Sequence, residues 1–305
     1  MIDERLIDLT VRKMNISDRI LIEKDILLHM ILNELVKDKK FKEDFVFKGG
    51  TCLTKCYYGY YRFSEDLDFT YIRQDDFSGK TAKSNRKTLS NNINEFAALM
   101  DTIARKLGLD FKIEKTDRRY FEFGGSNAFV TLKLWYKTTT NELSFIKVQV
   151  NFIERLSYPV KEMVANFLLD KEKKDVMAIM PEYSYLLEPI KIKVYDIKEI
   201  LLEKIRAIMT RRGVKARDFL DVFIITSKEK LNLEGYKDKI INKVKPMLKF
   251  EKYANNLSNK ELQFKEQVIL KAEEKLLIGE IPEGFDSFLK DFKVFLEELL
   301  RELNS

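Results

Sequence analysis

Apolar positions along the chain alternate between two periods. Over residues 18 to 37, Ile22, Ile26, Leu27, Met30 and Ile31 fall mainly on one side of a helix, with Ser17 as its N-cap. A second helical pattern runs from Leu89 to Leu107 through Ile93, Phe96, Leu99, Met100 and Ile103, with Gly108 as the stop. A third starts behind Asp196 and carries Ile200, Ile205, Ile208 and Met209. Between them the period drops to two or to short apolar runs, predicting strands at 45–47, 109–116, 128–136, 145–154 and 190–195. Within 128–136, Phe129, Thr131, Lys133 and Trp135 alternate with Val130, Leu132, Leu134 and Tyr136. Turn-like residues at Gly124-Gly125 and from Thr138 to Asn141 predict antiparallel pairing of the flanking strands. The polar stretch 74–88 reads as a loop, and Pro159, Pro181 and Pro189 punctuate a looser region. Residues 236–304 are lysine- and glutamate-rich amphipathic helix with no catalytic signature. The predicted class is α+β: a mixed sheet with flanking helices to about residue 195, then a helical domain.

At 305 residues and 45% hydrophobic, the chain can bury a sizeable core in one large or two associated domains. It has no run of about 18 apolar residues and no signal pattern at its N-terminus, so the expectation is a cytoplasmic protein without membrane contact. Cys52, Cys56 and the only histidine, His29, cannot complete an ordinary four-ligand zinc site, so reduced thiols and a structural histidine are expected. The net charge of +6 permits a nucleic-acid partner, and its clustering says more than its sum. Arg211, Arg212, Lys215 and Arg217 crowd one connection and are candidates for contact with a triphosphate or with RNA phosphates, against the plainer reading of a solvated helix end.

The densest chemistry lies in residues 45–70, FVFKGGTCLTKCYYGYYRFSEDLDFT. A short strand runs into Lys48-Gly49-Gly50-Thr51, from which a helix starts. Two residues without a Cβ let backbone N–H groups approach a phosphate, and a helix N-terminus favours negative charge there. Downstream, Ser64-Glu65-Asp66-Leu67-Asp68-Phe69 opens a strand on which Asp66 and Asp68 share one face while Leu67 and Phe69 take the other. Paired carboxylates beside a phosphate seat are the oxygen ligands that Mg²⁺ takes in phosphoryl transfer, with Mn²⁺ as an alternative. The intervening Tyr57, Tyr58, Tyr60, Tyr61 and Arg62 read as packing first and nucleotide contact second. A second block follows, Glu203-Lys204-Ile205-Arg206-Ala207 and then Arg217-Asp218-Phe219-Leu220-Asp221, whose two aspartates, three apart, share a helix face.

In their order, these two blocks resemble the nucleotidyltransferase fold of DNA polymerase β and its relatives, and most closely the AbiEii/AbiGii-type toxins. The likeness spans roughly residues 20 to 225. It implies a nucleotidyltransferase core over residues 1–195 and a helical C-terminal domain over 196–305 that completes the active site. It further implies transfer of a nucleoside monophosphate from a nucleoside triphosphate to RNA, with the tRNA 3′ end as the expected acceptor. Asp66 and Asp68 would hold the metal, Lys48, Gly49, Gly50, Thr51, Arg62 and Ser64 would seat the triphosphate, and Lys204 would meet phosphate charge. Asp218 or Asp221 would orient Lys204 or accept a proton. A winged-helix antitoxin encoded by a neighbouring gene is the implied partner. Transfer to a protein or small molecule, and nucleotide binding without turnover, are the alternatives. One departure matters: where many polymerase-β-like enzymes place a third acid, the strand at 145–152 carries Gln149 and Asn151. Neither is a base at neutral pH, so the proton acceptor is Asp218 or Asp221, or metal and positioning suffice.

Overall fold

The computed structural model describes residues 2–124, 127–260 and 276–304. The Gly125 half of the expected Gly-Gly turn and residues 261–275 of the expected C-terminal helix lie outside the described residues. The chain divides into two compact units, Met1–Leu156 with Val160–Tyr195, and Ser157–Pro159 with Asp196–Ser305.

The first unit holds helices α1 (Glu4–Met14), α2 (Arg19–Leu35), α3 (Lys39–Asp44), α4 (Gly49–Cys52), α5 (Ala82–Leu107) and α6 (Lys173–Ile179). Its strands are β1 (Phe45–Lys48), β2 (Asp66–Tyr71), β3 (Phe121–Gly124), β4 (Phe129–Lys137), β5 (Leu143–Asn151), β6 (Lys161–Ala165) and β7 (Ile190–Val194). They form a mixed sheet in the order β3-β4-β5-β2-β1-β7-β6, with β2 parallel to β5, β1 parallel to β7 and the remaining neighbours antiparallel. The α+β class expected from the periodicity is the class observed. One sheet face is apolar: Phe47, Leu67, Phe69, Leu132, Leu134, Ile146, Val148 and Val150 are all buried. Helices α2 and α5 pack against the sheet at β5 and β4, and Phe41 and Phe96 join Phe45 and Phe69 in an aromatic cluster.

Several expected boundaries move for identifiable reasons. The cap of α2 is Asp18, whose carboxylate accepts from the Leu21 amide at 3.0 Å, so Ser17 is displaced by a stronger neighbouring acceptor. Helix α5 begins seven residues earlier than its apolar stripe, because Thr81 caps it and its first turns are solvent-exposed. What remains of the expected 74–88 loop is a short 3₁₀ turn, Gln74–Phe77, anchored by the Gln74 amide donating to the carbonyls of Tyr71 and Phe152. The strand expected at 109–116 reduces to one bridge between Asp110 and Trp135, and the edge strand is instead β3. Strand β6 is an addition that the apolar periodicity did not reveal, and helix α1, which buries Leu6, Ile7 and Leu9, precedes the first expected helix.

The short helix after β1 continues as a π-helical turn over Leu53–Tyr58, which buries Lys55 completely. Its ammonium lies 2.9 Å from Asp25 of α2, and the Tyr60 hydroxyl bridges both. Tyr57 donates to the Tyr195 carbonyl at 2.5 Å, so these tyrosines are packed into the unit. His29 is buried against Phe167 with its ring bonded to the Leu186 carbonyl, and burial holds its pKa well below the usual value. Cys52 and Cys56 are buried free thiols.

The second unit is helical: α7 (Ile197–Thr210), α8 (Ala216–Glu229), α9 (Lys237–Val244), α10 (Glu251–Ser258) and α11 (Phe285–Asn304). Asp196 caps α7 by accepting from the Lys198 amide at 2.8 Å. Buried Glu199 accepts from the amides of Ser157 and Tyr158 at 2.8 and 2.9 Å and pairs with Lys243 at 2.5 Å, tying the 157–159 segment to α7 and α9. Phe219 and Phe223 of α8 pack on Phe292 and Phe285 of α11. Among the described residues, no helix is long and apolar enough to cross a membrane.

Removing one partner of a buried ion pair leaves the other charge uncompensated. Lys55→Met is expected to cost about 3 to 5 kcal/mol in denaturant unfolding, with much of the loss recovered in the double variant Asp25→Leu/Lys55→Met.

Candidate active site

Strands β1 and β2 are antiparallel neighbours whose register sets Lys48 opposite Asp68. The turn that follows β1 is thereby delivered against the start of β2. Gly49 adopts φ +76°, and a Cβ there would lie 3.0 Å from the Cγ of Asp68 and closer still to its carboxylate oxygen. Glycine is required twice over, by the left-handed backbone and by the carboxylate lying on it. A Cβ on Gly50 would meet the Arg62 guanidinium at 2.5 Å and the Ser64 hydroxyl at 2.9 Å. The Thr51 hydroxyl donates to the Asp66 carbonyl at 2.5 Å, which ties α4 to β2.

The sheet continues the arrangement sideways. Lys48, Asp68, Gln149 and Thr131 stand in one row across β1, β2, β5 and β4, and Asp66 stands beside Lys147 in the next. Because directly paired residues share a face, these side chains stand opposite the apolar face. Asp66 and Asp68 are both half-buried there. The Lys48 ammonium sits 5.3 Å from the Tyr195 ring centroid. Gln149 occupies the position next to Asp68 where a third acid would stand, and its amide donates to the Thr131 hydroxyl at 2.9 Å. Among the described residues no group of three or more His, Cys, Asp or Glu side chains converges as a metal site. The donor set at β2 is thus two carboxylates. That fits Mg²⁺ as phosphoryl-transfer enzymes hold it, with the remaining positions filled by substrate phosphates and water.

The residues expected at the triphosphate are brought to one place. Lys48, Gly49, Gly50, Ser64, Asp66 and Asp68 gather around the end of β1 and the start of β2. Thr51 and Arg62 sit there too, Thr51 bonded to β2 and Arg62 lying beside Gly50 and donating to the Phe63 carbonyl at 2.7 Å. Lys48, Gly50, Thr51 and Arg62 are buried, while Gly49, Ser64, Asp66 and Asp68 are half-buried. Sequence reasoning did not single out Lys147, which its register with Asp66 brings to the site; the signal was its place in the alternation of β5, unreadable until the parallel partner was known.

In the second unit, α7 and α8 face each other through charge. The Lys204 ammonium lies 2.9 Å from Asp218 and 2.5 Å from Asp221, both buried. Arg211 pairs with the other oxygen of Asp218 at 2.5 Å. Burial pushes the Asp218 carboxyl up, but the adjacent Lys204 and Arg211 charges outweigh it and hold the group below the usual carboxylate range. Within the basic cluster, Arg211 is therefore committed to Asp218, Arg212 and Lys215 are exposed, and Arg217 is half-buried on α8.

A β-strand, a glycine turn with a short helix and a strand bearing two in-phase acids, set in a mixed sheet with flanking helices, have the arrangement of a nucleotidyltransferase core. A family model described as nucleotidyl transferase AbiEii toxin, type IV TA system, matches residues 31–302, and the chain belongs to that family. Membership carries a nucleotide substrate and an antitoxin partner within a type IV toxin–antitoxin system. No curated protein matches the chain.

Two outcomes follow from this geometry. Gly49→Ala forces Asp68 off the turn, and nucleotide affinity measured by calorimetry is expected to fall by at least about tenfold, a loss of about 1.4 kcal/mol. Asp218 has a depressed folded pKa, so its contribution to stability is present above the ordinary carboxylate value, near 3.9, and is lost as pH falls through the folded value. The stability difference between the parent and Asp218→Asn should be flat from about pH 8 to pH 5 and shrink below about pH 4 in chemical unfolding.

Proposed function

We propose that the protein is a Mg²⁺-dependent nucleotidyltransferase toxin that moves a nucleoside monophosphate from a nucleoside triphosphate to an RNA acceptor, with the tRNA 3′ end as the target. The observation that carries the reading is the Asp68 carboxylate lying on the backbone of Gly49, which joins a carboxylate pair to a backbone phosphate seat in one place. Membership of the AbiEii family supports it.

In this reading the amides of Gly49 and Gly50, with Ser64 and Lys48, hold the β- and γ-phosphates. Asp66 and Asp68 would hold Mg²⁺, which would offset charge on the phosphate oxygens. The acceptor hydroxyl oxygen forms a bond to the α-phosphorus as the bond to the bridging oxygen breaks, and pyrophosphate leaves with the electron pair. The hydroxyl proton passes to water, since Gln149 and Asn151 are not bases and Asp218 is held ionised between two cations. Asp218 and Asp221 orient Lys204, whose ammonium we assign to offsetting negative charge during transfer. Arg212 and Lys215 are exposed, and we assign them to RNA phosphates, in contacts that weaken with salt. We place the protein in the cytoplasm, with a winged-helix antitoxin as its partner. The amide at Gln149 favours a second reading, nucleotide binding without turnover.

Labelled nucleotide incubated with total RNA, protein extract or buffer separates these readings by where the label goes. Label in RNA is the expected result; label in protein, or tight binding with no transfer, selects a rival. Asp66→Asn and Asp68→Asn should each lower transfer by about 10²-fold or more, as losing a ligand or charge contact in such sites does. Lys204→Ala should lose transfer to a similar degree, against no loss for the exposed Lys228→Ala. Induction of the protein alone should arrest bacterial growth, in a manner requiring both aspartates, and tRNA sequenced from arrested cells should carry extra 3′ nucleotides. Unmodified tRNA in arrested cells would move the target elsewhere.

A further inference from the structure

On one side of Asp66 and Asp68 the same sheet face carries two aromatic rings and three cations, of which Lys133 is ion-paired with Glu122 and Arg119 with Asp110 at 2.8 Å. Asp66 is in register with Lys147 of β5, and Lys147 with Lys133 of β4. One pair further on, Phe145 stands opposite Trp135, with ring centroids 4.6 Å apart. The ammonium groups of Lys133 and Lys147 lie 5.6 and 5.7 Å from the Phe145 centroid, and the Arg119 guanidinium lies 5.4 Å from the Trp135 ring. The strand period keeps Lys133, Trp135, Phe145 and Lys147 on the face of the aspartates, while Leu132, Leu134, Ile146 and Val148 are buried on the other. All four facing residues are half-buried, and Arg119 is exposed.

The direction of the reaction says what this side receives. In the order β4-β5-β2-β1, the Gly49-Gly50 turn lies on one side of the aspartates and the Trp135–Phe145 pair on the other. Attacking and leaving oxygens in phosphoryl transfer are roughly in line. With the β- and γ-phosphates seated at the turn, pyrophosphate departs toward β1, and the acceptor hydroxyl must form its bond from the β5 side. One and two strand spacings, with two residues of strand rise, set Phe145 and Trp135 roughly 8 and 12 Å from Asp66. That separation suits the nucleotides that precede a reacting 3′ hydroxyl. Rings that stack on any base, interleaved with cations that meet phosphates, are how single-stranded RNA is gripped; a protein side chain or a small metabolite calls for neither.

We propose that the β4–β5 face built from Trp135, Phe145, Lys133, Lys147 and Arg119 is the docking platform for the single-stranded 3′ end of an RNA acceptor. The proposal rests on the transferase reading above, and the two can fail separately.

Full-length protein is titrated against a fluorescent RNA oligonucleotide with a single-stranded 3′ overhang, first without nucleotide, by anisotropy. Transfer of labelled nucleotide to the same RNA is then measured as KM for each substrate. Trp135→Leu and Phe145→Leu are each expected to weaken RNA binding and raise the RNA KM about tenfold, leaving the KM for the nucleoside triphosphate within about twofold. Lys147→Gln, which does not disturb the ring pair, should flatten the salt dependence of RNA affinity by about one in slope, and the exposed Lys191→Gln on β7 should change nothing. RNA affinity unchanged in all three platform variants overturns the proposal even if transfer to RNA proceeds normally. RNA binding lost in the variants, with no transfer by the parent, sustains the platform and overturns the transferase reading. Should Trp135→Leu fail to fold, the salt slope of Lys147→Gln decides.

Discussion

The candidate site depends on the absence of a side chain. The Asp68 carboxylate occupies the volume that a Cβ on Gly49 would fill, and it can do so only because β1 and β2 are antiparallel neighbours with Lys48 opposite Asp68. Sheet register, turn conformation and carboxylate position are therefore one constraint. Arg62 and Ser64 repeat the arrangement over Gly50, and the Thr51 hydroxyl closes it by bonding the backbone of β2. A turn held at three points presents its amides in fixed directions, which is how a backbone anion seat avoids reorganising when a phosphate arrives.

Charge is handled differently in the two units. At β2 the acids are half-buried, with Asp68 lying against the backbone of Gly49. Between α7 and α8 the acids are buried and already neutralised, Asp218 by Lys204 and Arg211 and Asp221 by Lys204. Such a pair of carboxylates fixes one ammonium in place. Behind the glycine turn, Lys55 and Asp25 use buried charge for a third purpose, locking the π-helical turn to α2.

The sheet row Lys48, Asp68, Gln149, Thr131 explains why an amide can stand where related enzymes place an acid. Gln149 is satisfied by Thr131 on the next strand, so the position is built as a neutral one. Two carboxylates can hold one metal together with phosphate oxygens. A neutral third position places more of the burden of orienting the acceptor on the residues beside it.

The sequence by itself determined the strand–turn–helix around Gly49-Gly50, the shared face of Asp66 and Asp68, the antiparallel β4–β5 pair, the cap at Asp196 and the shared face of Asp218 and Asp221. Each is a local matter, set by strand period, helix period or the conformational freedom of glycine. Strand β6 escaped notice because five residues carry too few apolar positions to show a period. The strand expected at 109–116 failed because alternation cannot say whether a partner exists for the whole length, and only Asp110 finds one. Tertiary structure alone decided that Thr51 and Arg62 are buried, that Arg211 is committed to Asp218, and that Lys147 stands beside Asp66. These depend on which strand lies next to which and on what is left exposed afterwards, and contacts between residues distant in the chain leave no periodic trace in it.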